Sequence, residues 1–141
     1  MATPAGGKAL SAADKLGLSE GLVVQELGWD DDVDDDLRIA IEDAIDAELI
    51  EEAMEAVDIV LLWWRDDDGD LVDGLVDSLT DLSDSGVVWL LTPKVGRDGH
   101  VDPADVSEAT ITAGLAQTTT NASVSQDWTA TKLVRPKGSR R

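Results

Sequence analysis

The sequence predicts an α/β fold: a small three-layer sandwich around a mainly parallel central sheet of about five strands, closed by a C-terminal antiparallel pair. Two features lead there. "VDIVLLWW" (57–64) and "VVWLLTP" (87–93) are nearly continuous apolar runs rich in β-branched residues, as strands covered on both faces should be. Between them, "DLVDGLVDSLTDL" (70–82) sets Leu71, Leu75, Leu79 and Leu82 on one side of a helix and Asp73, Asp77 and Asp81 on the other. Strand, helix and strand within residues 57–93 make a βαβ unit, whose right-handed crossover leaves the two strands parallel.

The other elements follow in order. Residues 1–14 are small and polar and read as a flexible arm, 15–137 as one domain, and 138–141 as a basic tail. "GLVVQELG" (21–28) is a short strand bracketed by glycines. From Asp34 onward, Leu37, Ile41, Ala44 and Ile45 recur at helical spacing. "AELIEEAMEAV" (47–57) fits either a second short helix or a strand followed by a helix. "SDSG" ends the 70–82 helix, with Gly86 as its C-cap. "DPADVSEATITAGL" (102–115) is a helix with Asp102 as N-cap, Pro103 in its first turn and Gly114 at its end. "AQTTTNASVS" and "ATKLVRPK" then form the closing strand pair around "QDWT" (126–129). Trp63 and Trp64, adjacent in a strand, should pack on opposite layers.

Charge narrows the partners. The net charge is −19, and residues 30–86 alone carry 22 acids against two bases, Arg38 and Arg65. Such a body repels nucleic acid and anionic membranes and favours a basic or cationic protein partner. It also opposes close self-association, so a monomer or weak homo-oligomer is expected. The chain has no cysteine, which fits a reducing cytoplasm and excludes thiolate metal sites. No run reaches the ~18 apolar residues of a membrane span. A cytoplasmic location is expected.

Two aspartate clusters stand ahead of helices. "GWDDDVDDDL" lacks the turn glycine and ligand register of a calcium loop, and "RDDDGD" (65–70) places Trp64 and Leu75 at the first and twelfth ligand positions. Helix capping and a solvated face account for both clusters, and no metal site is assigned. "VVQELGWDDD" resembles the hydrophobic-x-E-x-G-x-G-x-G signature of class I methyltransferases, with Glu26 and Gly28 in place and Asp30 and Asp32 where the next glycines belong. Aspartates there would repel a phosphate or a methionine carboxylate. The segments at 57–64 and 82–94 are similar to the later strands of that fold. Too few residues separate Glu26 from Asp58 for the nucleoside-binding strands between them. The chain therefore reads as a Rossmann-like scaffold without its cofactor site, and no cofactor is expected.

"GLSEG" (17–21) matches a nucleophile elbow in letters, but a strand follows it rather than precedes it. His100 is the one histidine, which excludes an ordinary zinc site. It lies in "KVGRDGHVD" (94–102) with Lys94 and Arg97, the one basic island of the body. That loop is read either as mobile surface or, with Trp128, as an anion- or ligand-binding loop. Trp29 and Trp128 fall in predicted loops and are candidate contact residues, though each fits equally as a cover for the sheet ends.

Across residues 15–137 the chain resembles DUF3052, a family of unknown function abundant in actinobacteria. The resemblance rests on "KLGLSEGLVVQELGWDDDVDDDLRIAIEDAID", on "VLLWWRDDDGDLVDGLVDSLTDLSDSGVVWLLTPKVGRDGHVDPADVSEA" and on "TAGLAQTTTNASVSQDWTATKLV". It implies a cytoplasmic actinobacterial protein and carries no catalytic residue across. Two main functional readings remain, beside a homo-oligomeric structural role through the uncovered sheet edge that the acidic charge opposes. In the first the protein is a non-catalytic binding or regulatory module that meets its partner through Asp30, Asp31, Asp32, Asp34, Asp35, Asp66, Asp67, Asp68 and Trp29. In the second it is a degenerate methyltransferase-like enzyme or small-molecule binder that uses Lys94, Arg97, His100 and Trp128.

Overall fold

The computed structural model describes residues 15–136, with the side chains of 119–121 and 123 excepted; the expected N-terminal arm (1–14) and tail (138–141) lie outside the described residues. Among the described residues eight elements follow one another: β1 (Val24–Leu27), α1 (Asp35–Ile45), β2 (Val57–Trp63), α2 (Leu71–Ser78), β3 (Leu82–Pro93), α3 (Pro103–Thr112), β4 (Ala116–Ser123) and β5 (Trp128–Val134). Each helix begins where an aspartate accepts from a first-turn amide: Asp34 from Leu37, Asp70 from Val72 and Asp102 from Ala104. No described helix is long and apolar enough to cross a membrane.

The five strands form one sheet in the order β1-β2-β3-β5-β4. The sheet is mixed rather than mainly parallel. β1–β2 and β2–β3 are parallel, whereas β3–β5 and β5–β4 are antiparallel. The reason is topological: the last strand folds back into the gap between β3 and β4, so half of the pairings come from one C-terminal hairpin. A second departure concerns "SDSG". It lies inside β3, and α2 ends at Leu79. Gly86 is no C-cap. A Cβ there would collide with Leu82 and crowd the Asp58 carbonyl, so glycine lets β3 run close against β2 at the register shift near Val57. In the ambiguous 47–57 segment, residues 47–56 form neither helix nor strand and Val57 already opens β2. The segment makes a single parallel bridge, Ile50 to Gln25, on the outer side of β1.

Alternation along the strands divides the core into two layers. Ile59, Leu61, Trp63, Trp89 and Leu91 face α1, through Leu37, Ile41 and Ile45. Val60, Leu62, Val88, Leu90 and Leu133 face α2 and α3, through Leu71, Leu75, Val106 and Ala109. Trp63 and Trp64 do fall in opposite layers. The carboxyl ends of β1, β2 and β3 meet at one end of the sheet. There Gly28 (φ 79) passes so close to β2 that an added Cβ would overlap the Trp63 carbonyl. Gly28→Ala is therefore expected to lower stability by about 2–3 kcal/mol through left-handed strain and this overlap. A urea midpoint unchanged from wild type would show that the two strand ends can part.

Candidate functional site

Three loops converge at the strand ends, and Arg65 is their common partner. It follows β2, yet its side chain is buried, at 8% exposure. Nε and Nη2 both donate to the Asp32 carboxylate in the loop after β1, a two-pronged contact that suits a planar guanidinium. Nη1 donates to the Gly28 carbonyl at 2.7 Å and to Asp68 at 3.3 Å. Above, the guanidinium carbon lies 5.2 Å from the centre of the Trp128 ring, a cation–π contact. Gly99, from the loop after β3, leaves room for the Arg65 stem, and the Asp66 amide donates to its carbonyl at 2.8 Å. Arg65 thus fills the crevice between the ends of β1 and β2, where open α/β sheets place ligands. It also draws the two aspartate clusters into one acidic shelf around a single cation.

Beneath the shelf sits a second network. Glu26, on β1, is buried and accepts from Arg38 Nε (2.7 Å), Arg38 Nη2 (2.9 Å) and Trp63 Nε1 (2.9 Å). Arg38 stands on α1, so the glutamate fixes that helix to the sheet. Hydrogen bonding to Glu26 raises the Arg38 guanidinium above its ordinary range despite some burial. Burial pulls Arg65 down, but hydrogen bonds and charge from Asp32 and Asp68 outweigh it and leave that group raised as well. A raised base stabilises the fold below its unfolded pKa and withdraws that stability only as pH climbs through the folded value. For arginines this window is strongly alkaline. Both clamps therefore keep their cation throughout the neutral range.

The expected contact residues divide. Asp30, Asp31, Asp35, Asp66 and Asp67 are exposed along the shelf, Asp34 is the α1 cap, and Asp32 and Asp68 hold Arg65. Trp29 is 53% exposed and borders a shallow pocket with Glu26, Arg38 and Glu51. Trp128 opens β5 and is buried, its ring edge-on to Trp63 at 4.8 Å and 83°. Lys94 and His100 line one cavity, on the α3 side. Arg97 and Trp128 border another with Asp32, and Arg97 pairs with Asp127 at 3.0 Å. Pro93 borders both, so these four residues do not share a single pocket. Sequence reasoning missed Arg65 and Arg38 as organisers. Their signal was present: they are the two bases among 22 acids in residues 30–86.

Residues 13–137 match the family described as "Protein of unknown function (DUF3052)". The chain belongs to this family. Among the relatives of this DUF3052 chain are uncharacterised proteins of Mycobacterium tuberculosis and Mycobacterium bovis. Each is 50% identical over 141 residues, covering 94% of this chain and 87% of the relative. Solved structures of similar shape are methyltransferase-like Rossmann folds. The CcbJ methyltransferase from Streptomyces caelestis aligns with a TM-score of 0.55 at 10% identity, covering 89% of this chain and 94% of that one. The precorrin-6y C5,15-methyltransferase from Geobacter metallireducens aligns at 0.57 with 12% identity, covering 88% and 85%. At these identities the likeness is one of fold. The DUF3052 chain has an α/β methyltransferase-like scaffold with a five-stranded mixed sheet.

Proposed function

We propose that this protein is a non-catalytic binding module, in which a methyltransferase-like scaffold presents an acidic shelf to a basic protein partner. The observation that carries the reading is the placement of Arg65. Its guanidinium and the Asp32 and Asp68 carboxylates take up the strand-end crevice, and Glu26 is already saturated by Arg38 and Trp63. One cation gathers two aspartate loops, so the surface around it stays strongly negative. The exposed Trp29 indole at the α1 side of the shelf offers a face on which a partner's guanidinium can stack.

Two measurements test this. Calorimetry of the untagged protein with S-adenosylmethionine is expected to give no binding heat; a saturable isotherm would restore the enzyme reading. For the partner, the full chain is retrieved from its own cells alongside two variants of equal charge change. Asp30→Asn/Asp31→Asn/Asp66→Asn/Asp67→Asn is expected to lose the bound protein. Glu20→Gln/Asp43→Asn/Glu55→Gln/Asp84→Asn, at exposed acids away from the Asp66 loop, is expected to keep it. Salt should weaken capture by wild type, because exposed charges are screened over about 8 Å at physiological ionic strength. Equal loss from both variants, or capture indifferent to salt, would overturn the docking role.

A further inference from the structure

Away from the acidic shelf, on the face covered by α3, lies a cavity of about 440 Å³. Its origin can be read from the strand register. Along β3 and β5 the pairs facing α3 run Val88–Leu133, then Leu90–Thr131, then Thr92–Thr129. The packing layer thus changes from aliphatic to hydroxyl toward the carboxyl end of β3, just where the first turns of α3 cover it. Threonine is shorter than leucine, and the space is not refilled from above, where Val101 and Val106 form an apolar roof. Lys94 and His100 complete the wall at the strand end. His100 Nδ1 lies 2.9 Å from the Pro93 carbonyl. A carbonyl only accepts, so Nδ1 carries the hydrogen, and Nε2 can accept from a carboxylic acid or, protonated, donate to a carboxylate.

The electrostatic setting is the second observation. In this chain of net charge −19, four other pockets are each bordered by at least two carboxylates. This cavity is bordered by none among the described residues, and it sets a lysine beside the histidine. We infer that the cavity binds a small organic acid, a monocarboxylate with an apolar body. The carboxylate meets the Lys94 ammonium, with His100 beside it as a donor only in its imidazolium form, and the body lies between the threonine floor and the Val101–Val106 roof. The volume falls in the lower part of the range for small-molecule sites. The inference goes beyond the docking role and stands or falls separately from it.

The test is an amide-resolved NMR titration of the full chain with phenylacetate, and with phenylacetamide as its uncharged counterpart. Phenylacetate is expected to give saturable shifts in the millimolar range at Lys94, Val101, Thr129 and Thr131, and phenylacetamide to bind about tenfold more weakly. Lys94→Gln should erase most of that difference between acid and amide. Thr131→Leu, which extends the aliphatic floor, should weaken both ligands about tenfold while leaving the melting temperature at or above that of wild type. Retained binding in Thr131→Leu would place the ligand elsewhere. Equal affinity for acid and amide would overturn the carboxylate assignment. Non-saturating shifts, or shifts centred on the acidic shelf, would overturn the site.

Discussion

Glu26→Ala is expected to destabilise the protein by about 3–5 kcal/mol, the cost of removing one member of a buried, hydrogen-bonded ion pair. Three donors lose their acceptor at once: two nitrogens of Arg38 and the indole N–H of Trp63. Arg38 is partly exposed and can turn toward water. Trp63 is fully buried, and its N–H has nowhere to go. Glu26→Gln keeps an acceptor for the indole but loses the charge, and should fall between wild type and the alanine variant. The converse single change, Arg38→Met, leaves a buried carboxylate unpaired and should also be costly. The double variant Glu26→Ala/Arg38→Met should be more stable than the sum of its parts, because both charges go together. Urea midpoints for wild type and the four variants decide the matter. Additive losses would mean that the pair is not coupled and that Glu26 only fills space.

Arg65→Met is expected to cost about 3 kcal/mol, the lower end of the same range, because its partners Asp32 and Asp68 keep some contact with water. The Gly28 carbonyl also loses its donor and Trp128 its cation. The variant should respond to salt in a distinctive way. In wild type the guanidinium attracts two carboxylates, and salt weakens that attraction. Without it no cation stands between the two carboxylates, and salt screens their repulsion. The stability gap between Arg65→Met and wild type should therefore narrow as sodium chloride is added. Arg65→Lys should recover only part of the loss. An ammonium cannot grip Asp32 with two nitrogens while also reaching the Gly28 carbonyl. A gap that is small, or that widens with salt, would show that Arg65 is not the clamp.

Much of the fold was legible because it is written locally. β2 and residues 87–93 of β3 are nearly continuous apolar runs, and Asp34 and Asp102 cap the helices that follow them. What escaped is written non-locally. Nothing within "ATKLVRPK" says that β5 slots between β3 and β4, which makes the sheet mixed. "SDSG" has the composition of a helix stop, yet Gly86 is there for its contact with Asp58 across the strands. At the site, the acidic residues were visible as a run of one letter, whereas Arg65 gains meaning only once three loops lie side by side. Trp128 follows a polar turn, which leaves an exposed contact and a cover for the sheet end equally open. Its burial depends on Trp63 and Arg65, both more than sixty positions earlier.

The lone bridge at Ile50 has a bearing on how the protein behaves in a crowded cell. A bare outer strand invites any other extended chain to pair with it, which is how sheets seed aggregates. Here the Glu26 amide donates to the Ile50 carbonyl at 2.7 Å, and the Ile50 amide donates to the Val24 carbonyl at 3.1 Å. Those two bonds occupy the outward-facing groups at the middle of β1 without adding a full strand. With Glu48, Glu51 and Glu52 exposed beside the bridge, a stranger's backbone meets taken partners and repulsion together.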